Sequence, residues 1–389
     1  MNTSVMELSE EQRLFKDSVE KYLEKRYSFE QRGRYAACAD GWSRAAWAQF
    51  ADMGLLAFQL PEAHGGFAAG PLDTMSVLEA FGRALVLEPF LSTVVLGAGC
   101  IELAGRAEQQ AALLPRIAQG DLLLAFAHTE AHARYDLAEV RCGAVSDEAG
   151  WTIEGEKFLV LDGAGADMLI VSAHIEGEGI ALFLVDPREP GVRVTSYLTQ
   201  DGHRAANIQL SGARVAKENR LDGCLDVKAV IEDVTDRAIV ALCAEAVGIM
   251  SRMLDLTVEY LGTRQQFGTK IGSFQVLRHR AVDMLVALDQ ARSMTLGALA
   301  ALAQGRPEER RKMASAAKAQ VGKSARFVGQ SAIQLHGGIG VTMEYMIGHC
   351  FLRSTAIEML FGDTEYHLSR ISDLGGLVCA ADHGGMPDA

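Results

Sequence analysis

The 389-residue sequence contains no uncharged apolar run of about 18 residues or more, the length that a membrane-spanning helix requires. It has no basic excess either: 37 Lys and Arg stand against 50 Asp and Glu, a formal net charge of −13 with a pI of about 5.3. An acidic surface repels phosphate backbones, which argues against a nucleic-acid partner but leaves room for a local basic patch on a phosphate-bearing cofactor. The seven cysteines (Cys38, Cys100, Cys142, Cys224, Cys243, Cys350, Cys379) lack CxxC and metal-ligand spacing, so no metal is expected. Such a dispersed, odd set fits a reducing compartment. The opening Met1-Asn2-Thr3 has no basic segment followed by an apolar run, so no signal peptide is expected and the location is read as cytoplasmic. Internal repeats are absent, and low complexity is confined to a loose tail at 376–389.

What is present is the balance of a globular protein: 49% hydrophobic and 22% charged residues, in a chain long enough for two or three cores. The first third reads as helical. Ser9-Glu10-Glu11-Gln12 has a capping-box pattern, followed by Phe15, Val19, Tyr22 and Leu23 at helical spacing. Further helices are expected over 43–53, 72–85 and 107–118. From Leu122 the pattern shifts to short β-rich runs. Trp151–Val160 reads as a hairpin bend followed by a strand, and 168–172, 180–185, 192–197 and 206–210 as strands. Closely spaced strands suggest a small barrel or sandwich. Helical periodicity then returns over 228–262, 274–304, 308–336 and 342–361, with an Ala/Gly/Ser-rich stretch at 314–332 that allows close helix approach. The expected fold is α+β and multidomain: an N-terminal helical domain (1–121), a middle β-barrel (122–226), a C-terminal four-helix bundle (227–375) and the tail.

Two segments carry chemistry. Thr263–Gln275 (TRQQFGTKIGSFQ) is a basic, glycine-punctuated turn that opens a helix, where a guanidinium and free N–H groups can hold an anion. An ordinary helix–helix loop explains it equally well. Gln334–Gly340 (QLHGGIG) has paired glycines that let a ligand approach the backbone, though simple helix termination accounts for most such sequences.

Together, about 70 residues apart, these segments resemble the C-terminal signatures of the acyl-CoA dehydrogenase family. Leu56–Gly66 resembles its N-terminal Pro-Glu-x-x-Gly-Gly element, Phe126–Asp136 its Thr-Glu-Pro-x-x-Gly-Ser-Asp flavin segment, and Gly155-Glu156-Lys157 the start of its next flavin strand. Phe361–His367 and Thr342–Tyr345 further resemble the small subunits of pimeloyl-CoA-type dehydrogenases.

The resemblance implies FAD as cofactor, an acyl-CoA substrate and electron-transferring flavoprotein as acceptor. It implies cofactor contacts from Arg264, Phe267, Phe274, Gln275, Gln334, Gly337, Gly338, Thr129 and Thr364. The family's reaction, α,β-dehydrogenation of the thioester, needs a carboxylate within about 3 Å of the substrate α-carbon. Counted from Arg353, the family's usual Glu falls on Gly362; counted back from Gly248, a second base position falls on Ala238. Neither can take a proton. Asp363, Glu365 and Asp236 are nearby acids, read mainly as solvated or capping carboxylates.

The flavin strand departs too. Leu159-Val160-Leu161-Asp162 stands where the family commonly has Trp-Ile-Thr-Asn, and Ala131, Arg134 and Tyr135 replace Pro, Gly and Ser. Arg134 could meet a phosphate or fill the vacated pocket. The elements that the family gives to a neighbour's flavin are kept, whereas those around its own flavin ring and base are altered. The expectation is an α2β2 hetero-oligomer whose partner subunit supplies base and substrate. Two rivals stand beside it: a self-sufficient homotetramer, or related flavin oxidase or monooxygenase, using Asp363 or Glu365; and a non-catalytic scaffold subunit.

Overall fold

Ser43 illustrates how the sequence starts a helix. In the computed structural model, which describes residues 10–377, its hydroxyl accepts from the Ala46 N–H at 3.2 Å. That bond satisfies one of the donors a helix start leaves free and opens α3 (Arg44–Asp52). Before it lie α1 (Glu10–Arg26) and α2 (Phe29–Ala36). After it come α4 (Pro71–Ala84), a π-helical stretch (Leu91–Gly97) running into α5 (Ala98–Ala104), and α6 (Ala107–Ala118). The helices over 43–53, 72–85 and 107–118 appear as read, whereas α2 and the 91–104 segment lacked a recognised signal. Ser9 of the capping pattern, Met1-Asn2-Thr3, Cys379 and 378–389 of the tail lie outside the described residues.

The middle segment folds as β1 (Leu124–Ala127), β2 (Gly143–Ser146), β3 (Trp151–Leu161), β4 (Met168–Ile175), β5 (Gly179–Val185), β6 (Val192–Leu198), β7 (Arg204–Val215) and β8 (Arg220–Leu221). The hydrogen-bonded order is β6-β7-β3-β2-β4-β5-β8, with β1 parallel to β4. β6 and β8 end this path, and among the described residues no pairing joins them to close a barrel. The bend expected near Trp151 is instead part of one strand: β3 runs antiparallel to β7 throughout, with register breaks at Ile153/Glu154 and Lys157/Val160. Gly155, at φ +149°, sits beside the first of these, so its turn signal marks an irregularity in the ladder and not a reversal. Trp151, Ile153, Leu169, Phe183 and Ile208 form an apolar core within the sheet.

The last part is helical: α7 (Val227–Thr263), α8 (Gln275–Gln304), α9 (Pro307–His336), α10 (Met346–Met359) and α11 (Thr364–Asp373). α7, α8, α9 and α10 pack together, with α11 against α9. The helix expected over 342–361 starts later, because Gly337–Val341 forms a 3-10 turn and Tyr345 is extended. Small residues set the close crossings, as the 314–332 composition suggested. A Cβ on Gly329 would lie 2.7 Å from the Phe351 ring. Gly82 of α4 and Gly248 of α7 likewise face each other's helix backbone. A second, larger core runs continuously from α1 through α4 and α7 to α10, tying the first and last thirds together.

Candidate functional site

Gly362 lies where β3, the 129–137 loop, α7 and the α10–α11 connection meet. The turn that carries it is held from behind by Lys318 of α9. This buried ammonium donates to the carbonyls of Glu358 (3.0 Å), Leu360 (2.7 Å) and Gly362 (2.6 Å), which caps the C-terminus of α10. Burial pulls the Lys318 pKa down to about 8. The backbone at Gly362 has φ +115°, a conformation open to glycine but not to side-chain-bearing residues. A Cβ built there would overlap the Tyr366 ring and come within 2.7 Å of His367 Nε2. His367 is itself fixed, with its ring nitrogens at 3.1 Å from the Phe361 carbonyl and 3.2 Å from the Ser315 hydroxyl. Burial, with help from Lys318 and Arg370, lowers its pKa to about 3 and keeps the ring neutral.

Four of the departures noted in the sequence, Arg134, Tyr135, Leu159 and Leu161, meet at one cleft in front of this turn, whereas Asp162 points away and accepts from Ser92 at 2.6 Å. Thr129, Arg134, Tyr135, Leu159 and Leu161 line it from the sheet side, and Phe361 and Tyr366 from the helix side. The Tyr366 hydroxyl donates to the Tyr135 carbonyl at 3.2 Å, and the two rings lie 5.1 Å apart. What remains is a cavity of about 80 Å³. Arg134 sits exposed at its mouth, at φ +51°. Thr364 does not face the cleft: its hydroxyl donates to Glu358 at 3.1 Å and is buried against Gly322 of α9.

The acids named from the sequence take three different positions. Asp363 caps α11, accepting from the Tyr366 N–H at 2.9 Å. Glu365 is exposed in the first turn of α11. Asp236 is neither solvated nor capping, which corrects the sequence reading: it is wholly buried between Arg310 (3.1 Å) and Arg370 (3.1 Å). Burial holds its carboxyl above the usual range despite those two guanidiniums. Ala238, two residues further along α7, is also fully buried. Arg353, the anchor of the count to Gly362, bridges Asp201 (2.8 Å) and Glu245 (2.6 Å), locking α10 to α7 and to the β6–β7 turn.

The other predicted residues form a separate, outward-facing group. Gln265–Gln266 and Thr269–Lys270 pair as a two-residue hairpin whose corner, Phe267-Gly268, has φ of +52° and +77°. Phe267 is 89% exposed and its ring meets Phe274 edge-on at 6.3 Å. The Arg264 and Gln275 side chains are exposed and make no hydrogen bond or ion pair among the described residues. Gln334, Gly337 and Gly338 are also exposed, and nothing lies within 4 Å of a Cβ built on either glycine. Sequence reasoning did not find Lys318, and it quoted Tyr366 and His367 only within the 361–367 stretch, without a role. Their roles depend on contacts between distant parts of the chain, which no local pattern announces. Among the described residues no group of His, Cys, Asp and Glu could hold a metal, and no helix is long and apolar enough to cross a membrane.

Three family descriptions match the chain in succession: acyl-CoA dehydrogenase N-terminal domain over residues 9–121, middle domain over 125–212 and C-terminal domain over 229–374. Acyl-CoA dehydrogenase FadE27 of Mycobacterium tuberculosis is 28% identical over 334 residues, 84% of this chain and 87% of that one. Among solved structures, the Tcur3481-Tcur3483 steroid ACAD variant is 30% identical with a TM-score of 0.84, covering 94% of this chain and 97% of its own. The ChsE4-ChsE5 complex from Mycobacterium tuberculosis is 26% identical with a TM-score of 0.84, covering 96% and 99%.

Proposed function

The chain belongs to the acyl-CoA dehydrogenase family, and from that premise we propose that it is the base-less subunit of a heteromeric, FAD-dependent enzyme for α,β-dehydrogenation of an acyl-CoA. A partner subunit supplies the catalytic carboxylate and the substrate pocket, and this chain helps hold the partner's FAD. The observation that carries the reading is at Gly362, where the count from Arg353 puts the family's base: this residue has no side chain, and the space for one is taken by Tyr366 and His367.

The two groups of site residues fit the cofactor differently. The closed cleft of about 80 Å³ does not fit a tricyclic ring. The outward turns fit its anionic end: Arg264 offers an unengaged planar donor, and Gly337 and Gly338 leave the backbone open to close approach. When bound, FAD supplies the electron acceptor for the dehydrogenation. Phe267 and Phe274 would flank it, with Gln275 and Gln334 as further polar contacts. Thr129 stays with the closed cleft, and Thr364 is engaged by Glu358.

Two of the similar solved structures are described as a steroid ACAD and as a two-component complex. They support a two-chain assembly; an α2β2 arrangement, a bulky acyl-CoA substrate and electron-transferring flavoprotein as the acceptor are parts of the proposal. The self-sufficient reading lacks a base: Asp363 is engaged as a helix cap, Glu365 faces solvent and Asp236 is locked in ion pairs.

The test is to purify the chain alone and with its partner, then measure bound flavin and acyl-CoA-dependent flavin reduction. The complex should be yellow and active, and the isolated chain neither. Full activity of the isolated chain refutes the reading, and a complex that holds no flavin at the shared site supports the scaffold alternative.

A further inference from the structure

A sizeable cavity lies away from the residues discussed above. It is a groove of about 520 Å³ between α1, the start of α2, α4, α7 and the first residue of α10. That size falls within the ~300–1,000 Å³ of small-molecule sites. Leu23, Ala80 and Met346 form a buried apolar floor, and Phe29, fixed by an edge-on contact with His349 at 5.0 Å, stands at one side.

Most polar groups of the lining are already engaged. Arg83 is held by Ser251 (2.6 Å) and Asp255 (2.8 Å), Glu79 by Arg292, and Lys16 lies 3.8 Å from Glu20. The Tyr27 hydroxyl donates to Glu88 at 2.8 Å. Two charges are left over. Glu24 is exposed on α1, where water solvates it. Arg252 is half-buried on α7, and its guanidinium has no hydrogen bond or ion pair among the described residues. A half-buried charge has lost part of its hydration and gains more from a counter-ion than an exposed one does.

We propose that this groove binds an amphipathic monocarboxylate, with the anionic head on Arg252 and the hydrocarbon body along Leu23, Ala80 and Met346. A planar guanidinium pairs with a carboxylate through two parallel hydrogen bonds, which fixes the head and directs the tail onto the apolar floor. The inference does not depend on the flavin reading, since none of the groove's residues belongs to the closed cleft or the outward turns.

The test uses the chain with its partner, titrated calorimetrically with sodium decanoate, decan-1-ol and decyltrimethylammonium. Decanoate should bind saturably, and the other two at least about 10-fold more weakly. Arg252→Gln, which removes the charge but breaks no hydrogen bond or ion pair among the described residues, should weaken decanoate about 10-fold or more with little change in melting temperature. Ala84→Trp, which fills the groove from its half-buried wall, should abolish binding while leaving Arg252 in place. Absence of saturable decanoate binding overturns the proposal. So does binding that Arg252→Gln and Ala84→Trp leave intact, or a preference for the ammonium ligand.

Discussion

The Lys318 ammonium donates to the Gly362 carbonyl at 2.6 Å across 44 residues of sequence. That single cation also holds Glu358 and Leu360, so the turn at the proposed base position is kept in shape by a lysine from another helix. Lys318→Met leaves these carbonyls without their donor and should cost more than about 2 kcal/mol in chemical denaturation. The pH dependence has a defined sign. Burial puts the folded pKa at about 8, below the ordinary 10.5, so between those values the unfolded chain holds a proton that the folded chain has released. Stability from this group therefore rises with pH in that window. The gap between wild type and Lys318→Met should widen from pH 7.5 to 9.5; a gap that narrows contradicts the assignment.

Restoring the missing carboxylate should not restore a base. Gly362→Glu puts a side chain at φ +115°, against the Tyr366 ring and His367. The strain should lower stability by about 1–3 kcal/mol. The isolated variant should show no acyl-CoA-dependent flavin reduction in anaerobic spectra, and reduction at a rate matching the intact complex would show that the cleft can reopen.

How much of this was legible in the sequence depends on the range of the interaction involved. The 3.6-residue pattern located α6 to the residue, and α7, α8 and α9 to within one, because amphipathic faces repeat locally. The start of α10 was missed, since Gly337–Val341 and Tyr345 belong to a turn whose shape is set by packing on α9. Gly155 was read as a bend because glycine signals a turn and an irregular ladder equally well. Gly362 was found by counting within a motif, but what fills the space beside it was not. Tyr135 and Tyr366 meet across 231 residues, and only the folded chain brings them together.

Arg264 provides the sharpest test of the outward turns. Its exposed side chain supports nothing within the chain, so Arg264→Ala should leave the melting temperature within about 1 °C of wild type, as surface substitutions away from structural features do. If it meets an anionic cofactor across the subunit boundary, the complex should lose flavin on dilution at least about 10-fold more readily. Fluorescence of released FAD measures this directly. Unchanged retention would remove Arg264 from the shared site.

Gly82 and Gly248 make the crossing of α4 and α7 possible: a Cβ on Gly82 would overlap the Glu245 carbonyl, and one on Gly248 the Glu79 carbonyl. The obstacles are backbone atoms, which cannot rotate aside. Each Gly→Ala change should cost about 1–3 kcal/mol. The double variant should cost less than the sum, since a helix displaced by the first methyl has already made room for the second. Strict additivity in urea unfolding would mean that the two contacts are independent.

Asp236 separates a structural acid from a catalytic one. It is fully buried and shared by Arg310 and Arg370, but neither arginine depends on it alone, because Arg310 also pairs with Asp233 and Arg370 also donates to the Ser315 hydroxyl. Asp236→Asn keeps the shape and removes the charge, so the loss should fall at or below the lower end of the ~3–5 kcal/mol seen when a buried pair is broken outright. It should appear as a lower urea midpoint with unchanged slope. A base would behave differently, since its amide variant loses turnover in the folded enzyme. The assembled complex carrying Asp236→Asn should therefore retain kcat within about 2-fold of wild type below its unfolding transition, and a drop of several orders of magnitude at full folding would make Asp236 the proton acceptor.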